Sequence, residues 1–167
     1  LVWGSARPTL PRLPLGADTD LHITDTYALT KQVDEASAAM ASKRYGIPSI
    51  SLRFPNVSSP EDVLSRAQEV AQDLGVASRE LWAYLTLGDA GRVVARAIKS
   101  DLEPKPYVFN ALSEQTLLPT DLTTALAEVY GIGAESSGLE GPVKSAYRLD
   151  DLHATLGFKG EFVLPQS

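Results

Sequence analysis

Residues 27–56 read YALTKQVDEASAAMASKRYGIPSISLRFPN, and the order of breakers within them decides the fold. Thr24, Asp25 and Thr26 supply N-cap candidates just upstream. From Tyr27 to Tyr45 the composition suits a helix, and Gly46 stands in the usual C-terminal position, where a left-handed residue closes the last turn. Pro48 then opens a strand, Ser49 to Phe54, which Pro55 and Asn56 break.

The same alternation continues outward from this unit. Upstream, Leu1 to Gly4 is apolar and reads as the end of a buried strand leading into Ser5. Pro8, Pro11, Pro14 and Gly16 then make helix and central strand unfavourable up to about Asp20. Downstream, Ser59 caps a helix that begins at Pro60, carries Glu61 and Asp62 in its first turn and runs to Gly75. Leu81 to Leu87 alternates as a strand. Asp89 to Lys99 reads as a helix with an apolar face of Val93, Val94, Ala97 and Ile98. Tyr107 to Leu112 is a short strand, Thr120 or Asp121 caps a helix to Tyr130, and a last helix covers Arg148 to Leu156. Strands alternating with helices predict an α/β fold with parallel crossovers.

Composition narrows the function. A chain of 167 residues, 44% apolar and 22% charged, has the length and balance of one ordinary globular domain. Its net charge of -6 and the lack of any Lys/Arg cluster argue against a nucleic-acid or anionic-membrane surface. No apolar run is long enough to span a bilayer, and no signal peptide is evident, so a cytoplasmic location is expected. With no Cys, and only His22 and His153, neither a thiolate site nor a multi-His metal centre is expected.

The chemistry concentrates at Tyr27 and Lys31. Four residues is about one helical turn, so the phenol and the ammonium project from one face and can act on one bound molecule. A neighbouring positive charge favours phenolate, which makes a proton-transfer group of a side chain that is otherwise inert at neutral pH. Ser5 at a strand end, the Tyr27/Lys31 pair and Leu52-Arg53-Phe54-Pro55-Asn56 at the next strand end all fall near the carboxyl edge of a parallel sheet, where ligands bind.

This order resembles the NAD-dependent epimerase/dehydratase family, the extended short-chain dehydrogenase/reductases, over that family's second half. Val2-Trp3-Gly4-Ser5 is similar to its strand ending in the active-site Ser, and Tyr27-Ala28-Leu29-Thr30-Lys31 to its Tyr-x-x-x-Lys. Leu52-Arg53-Phe54-Pro55-Asn56-Val57 resembles the segment that passes nicotinamide and substrate. Glu80 to Ala90, Val108-Phe109-Asn110-Ala111 and Leu156-Gly157-Phe158 resemble later family segments in the same order.

The resemblance implies the second half of a Rossmann-like parallel sheet plus a small α/β substrate-binding region. Residues 1–57 would belong to the dinucleotide-binding part and 58–167 mainly to the substrate part, with strands near 81–87 and 107–112 returning to the sheet. It further implies Ser5, Tyr27 and Lys31 as catalytic residues. Tyr27, Lys31, Phe54, Pro55 and Asn56 would line an NAD or NADP cofactor, and Ser5 and Asn56 a substrate such as a nucleotide sugar. The family's use of the helix bearing Ala36 to Ser42 implies a homodimer for the full-length protein.

Departures from the family pattern accompany the matches. No Gly-x-x-Gly-x-x-Gly follows a strand, and Gly131-Ile132-Gly133 follows a helix, so the chain is expected to be a fragment lacking the pyrophosphate loop. Thr86, Gly88 and Asp151 stand where the family often has charged residues of other kinds. The alternative expectation is a non-catalytic binding or regulatory module of the same fold. Asp89 reads as a helix cap or first-turn acid, Trp82 and Phe109 as core, and His22 and His153 as surface residues.

Overall fold

A computed structural model describes residues 13–20, 23–133, 137–139 and 144–165. Helix α1 (Thr26–Tyr45) starts at Asp25, whose carboxylate accepts the Ala28 amide at 2.7 Å. It ends at Gly46, where φ is 64°, a conformation only glycine adopts without Cβ strain. The buried Ser42 hydroxyl donates to the Ile47 carbonyl at 2.6 Å and turns the chain into strand β1 (Ser49–Arg53).

Next come β2 (Val57–Ser58), α2 (Pro60–Gln72), a single 3-10 turn at Ser78–Glu80, β3 (Leu85–Thr86), α3 (Leu87–Lys99) and β4 (Pro106–Asn110). Helices α4 (Leu122–Tyr130) and α5 (Asp150–Leu156) complete the described elements. β1 pairs in parallel with β4, from Ser49 opposite Pro106 to Arg53 opposite Asn110, and β2 pairs in parallel with β3. The chain is therefore mixed α/β with parallel strands joined by helical crossovers, as the alternation of elements predicts.

Successive side chains of a strand leave on opposite faces, and β1 uses both. Ile50 and Leu52 line an open cavity of about 470 Å³ with Val94, Ala97 and Ile98 of α3. Arg53 turns to α1, which packs along β1 and β4. Two apolar clusters result. One lies under the β1/β4 pair and joins Leu85, Val93, Phe109, Leu152 and Phe158; the other centres on Trp82, Val70, Leu126 and Tyr147.

One predicted strand is largely replaced. Leu81 and Trp82 both take positive φ, 52° and 57°, after the 3-10 turn, and only Leu85–Thr86 is extended and paired in the ladder. That ladder is formed with β2, separately from β1 and β4. Every residue from Leu81 to Thr86 is buried, and the Trp82 indole donates to the Leu74 carbonyl at 2.8 Å. A wholly buried turn shows the same apolar letters as a strand, so period alone misassigns it. Helix α2 stops at Gln72 rather than Gly75, because the Asp73 carboxylate takes the Gly75 amide at 2.8 Å and bends the chain. Leu1 to Gly4, Ser5 and His22 lie outside the described residues. Among the described residues no helix is long and apolar enough to cross a membrane.

Candidate functional site at the carboxyl edge

The first turns of α1 carry Tyr27 and Lys31, and the helix brings them together as their spacing predicts. Lys31 Nζ lies 5.7 Å from the centre of the Tyr27 ring, and Tyr27 itself is 65% exposed. The ammonium also donates to Asp34 Oδ2 at 2.9 Å. That hydrogen bond, then the Asp34 charge, raise the Lys31 pKa above its ordinary value despite a small opposing effect of desolvation. Lys31 is thus held as a cation beside the phenol. The Thr30 hydroxyl is engaged within the helix, donating to the Tyr27 carbonyl at 2.7 Å.

At the end of β1 the predicted ligand-facing segment divides. Phe54 is half-buried, Pro55 is buried and Asn56 is exposed, so Asn56 offers its amide to solvent while Pro55 packs. Helix α1 is antiparallel to β1, and Glu35 is level with Arg53. Tyr27 lies eight residues further along α1, about 12 Å of helical rise beyond the strand end. Ser5 falls outside the described residues, so its relation to the pair is not part of this geometry.

Two residues that fall in the quoted segments but to which the sequence assigned no role, Arg53 and Asn110, complete the edge. Arg53 Nε and Nη2 donate to Glu35 Oε1 and Oε2 at 2.7 and 2.8 Å. Its Nη1 donates to the Ala17 carbonyl at 3.1 Å. Asn110, buried at the end of β4, donates its amide to the Leu15 carbonyl at 3.1 Å. An Arg closing a strand together with an acid on the preceding helix is the signal that could have suggested the first contact.

The described strand-to-helix junction that contains glycines is Thr86-Leu87-Gly88-Asp89-Ala90-Gly91, between β3 and α3. Its helix start is already filled by the protein's own anion. Asp89, 1% exposed, accepts the Glu161 amide at 2.8 Å, the Thr86 hydroxyl at 2.8 Å and the Phe162 amide at 3.3 Å, and pairs with Arg92. Burial pushes the Asp89 carboxyl up, but these donors together hold it below its ordinary pKa. The carboxylate thereby ties the start of α3 to the Glu161–Phe162 segment, while the Thr86 hydroxyl caps the Asp89 amide at 3.1 Å. Tyr27, Lys31 and Asn56 are thus polar groups open to solvent, the first two brought together on α1 and Asn56 standing on the turn after β1.

Of the remaining residues, Trp82 and Phe109 are core, as expected, and Asp89 is a first-turn acid. His153 Nε2 lies 3.1 Å from Glu114 Oε1. Among the described residues no group of three or more His, Asp or Glu is arranged to hold a metal. In comparison with known proteins, the chain matches no family model and no curated protein.

Proposed function

We propose that this chain is the proton-transfer half of an NAD(P)-dependent epimerase, dehydratase or reductase acting on a sugar nucleotide or similar hydroxyl compound. The observation that carries the reading is the protonated Lys31 ammonium held against the exposed Tyr27 ring. In support stands the ordered resemblance of Tyr27 to Lys31, Leu52 to Val57 and the later segments to the second half of the extended short-chain dehydrogenases.

In this reading Tyr27, as phenolate, takes the proton from the substrate hydroxyl, and Lys31 stabilises the phenolate and donates to the cofactor ribose. The bound nicotinamide supplies the hydride acceptor. Asn56 donates from the turn after β1, and Ser5 hydrogen-bonds the reacting oxygen. The pyrophosphate grip comes from outside the described residues. The exposed Leu29, Val33 and Met40 of α1 support a homodimer of the full-length protein, and a cytoplasmic location goes with this chemistry.

Tyr27→Phe in the full-length protein abolishes turnover with little change in stability; unaltered turnover refutes the acid/base assignment. A second reading, a non-catalytic binding module, is favoured by the Asp89 carboxylate that occupies the glycine-bearing helix start. Calorimetry with NAD and NADP on this chain distinguishes the two: tight dinucleotide binding by the chain alone contradicts the half-site reading.

A further inference from the structure

We infer that Arg53 is the positioning residue of the candidate site, fixing both the helix that carries Tyr27 and Lys31 and the segment that leads into it. This rests on the acid/base reading of Tyr27. Arg53 closes β1 and is anchored by the parallel pairing of β1 with β4, where it stands opposite Asn110. From that anchor its guanidinium reaches in two directions. Nε and Nη2 take both Glu35 oxygens at 2.7 and 2.8 Å, and Nη1 takes the Ala17 carbonyl at 3.1 Å.

Both partners are largely shielded, the Arg53 side chain 10% exposed and the Glu35 side chain 18%. Water therefore screens the pair little, and the planar fork sets a direction as well as a distance. A lysine at the same place could not hold both carboxylate oxygens and the carbonyl.

The geometry matters because of what lies between the two contacts. Ala17 precedes α1 and Glu35 lies within it; Tyr27 is carried on the chain between them. Asn110 reinforces the upstream clamp by donating to Leu15, whose amide in turn donates to the Ala146 carbonyl at 2.8 Å. The Arg148 amide donates to the Leu15 carbonyl at 2.9 Å. Tyr27, itself exposed, inherits its placement beyond the end of β1 from these fixed points. A largely shielded ion pair gives direction here, since an apolar pair of similar volume would pack without orienting α1.

The test is fluorine NMR of the chain labelled with 3-fluorotyrosine, the Tyr27 resonance being assigned by Tyr27→Phe. Arg53→Lys and Glu35→Gln each displace the Tyr27 resonance while that of the core residue Tyr84 stays in place. The double exchange Glu35→Arg with Arg53→Glu returns the Tyr27 resonance toward its original position. In Arg53→Lys the Leu15 and Arg148 amides exchange about tenfold faster, the size expected for loss of charge-assisted hydrogen bonds. They stay fast in the double exchange, because a glutamate cannot donate to Ala17. In the full-length enzyme Arg53→Lys lowers kcat about ten- to a hundredfold with KM little changed. A Tyr27 resonance indifferent to all three variants, or one that moves together with every other tyrosine, overturns the inference. Turnover that survives Tyr27→Phe refutes the acid/base reading instead and leaves the fluorine result standing.

Discussion

Lys31 Nζ stands 5.7 Å from the centre of the Tyr27 ring, close enough for the ammonium to act on the ring's electrons. The same ammonium is bound to Asp34, 2.9 Å away. The Tyr27/Lys31 relationship is therefore tuned by a third residue one turn further along the exposed face of α1.

Asp34→Asn should lower the Lys31 pKa, since the hydrogen bond and charge of Asp34 raise it. The sign for folding follows. An amine with a raised pKa contributes its stability below the ordinary value of 10.5 and loses it as pH rises through the raised one. Because Lys31 and Asp34 are exposed, the effect on unfolding near neutral pH should be negligible. A carbon-detected NMR titration of the lysine side chain checks the shift; an unchanged midpoint contradicts the role given to Asp34.

Asp89 should be an acid-sensitive contact. Its lowered pKa means that its stabilisation is present above the ordinary carboxylate value of 3.8 and is lost as pH falls through the lowered one. Asp89→Asn should cost roughly 2–3 kcal/mol at pH 7, mainly through the Glu161 and Phe162 amides and the Thr86 hydroxyl, the partly exposed Arg92 adding little. Urea unfolding at pH 7 and pH 3 measures both. Equal losses for the variant and the wild type on acidification would show that Asp89 is not the titrating group.

Trp82 combines core volume with one buried hydrogen bond. Trp82→Phe keeps most of the volume but leaves the Leu74 carbonyl without the indole donor, and should cost about 1–2 kcal/mol. Trp82→Ala adds a cavity beside Tyr130, whose ring meets Trp82 edge-on at 6.3 Å, and should cost about 3–5 kcal/mol. Chemical denaturation of the two variants separates the contributions; equal costs would mean that ring volume is irrelevant there.

Asp25 caps the helix that bears the candidate site. Asp25→Ala removes the acceptor of the Ala28 amide and should cost about 1 kcal/mol, with faster exchange at Ala28. Asp25→Asn should restore most of it. If amide exchange at Ala28 is the same in Asp25→Ala as in the wild type, the cap does not hold the start of α1.

The boundaries of α1 and β1 were legible because Gly46, Pro48 and Pro55 act through their own backbone and Asp25 through a carboxylate that reaches only to Ala28, so their signals need no distant partner. Residues 81–84 were not legible as a turn, although the strand expected over 81–87 is present at Leu85–Thr86. Their apolar run reports burial, and burial was supplied by residues as remote as Tyr130 and Tyr147. Of the candidate site, the meeting of Tyr27 with Lys31 could be read from spacing. The link from Glu35 to Arg53 spans two elements, and the sequence carries only a hint of it, an Arg at a strand end after a helix that bears an acid.

By itself, then, the sequence determined what depends on helical period and on local breakers: an α/β order and a phenol and an ammonium on one face. Only the tertiary structure decided which strands pair, that Asp89 fills the helix start beside Gly88, and that Arg53 clasps Glu35 and Ala17. The physical reason is range. A turn of helix fixes neighbours within a few residues, whereas a buried carboxylate or guanidinium takes whichever donors or acceptors the folded chain brings to it.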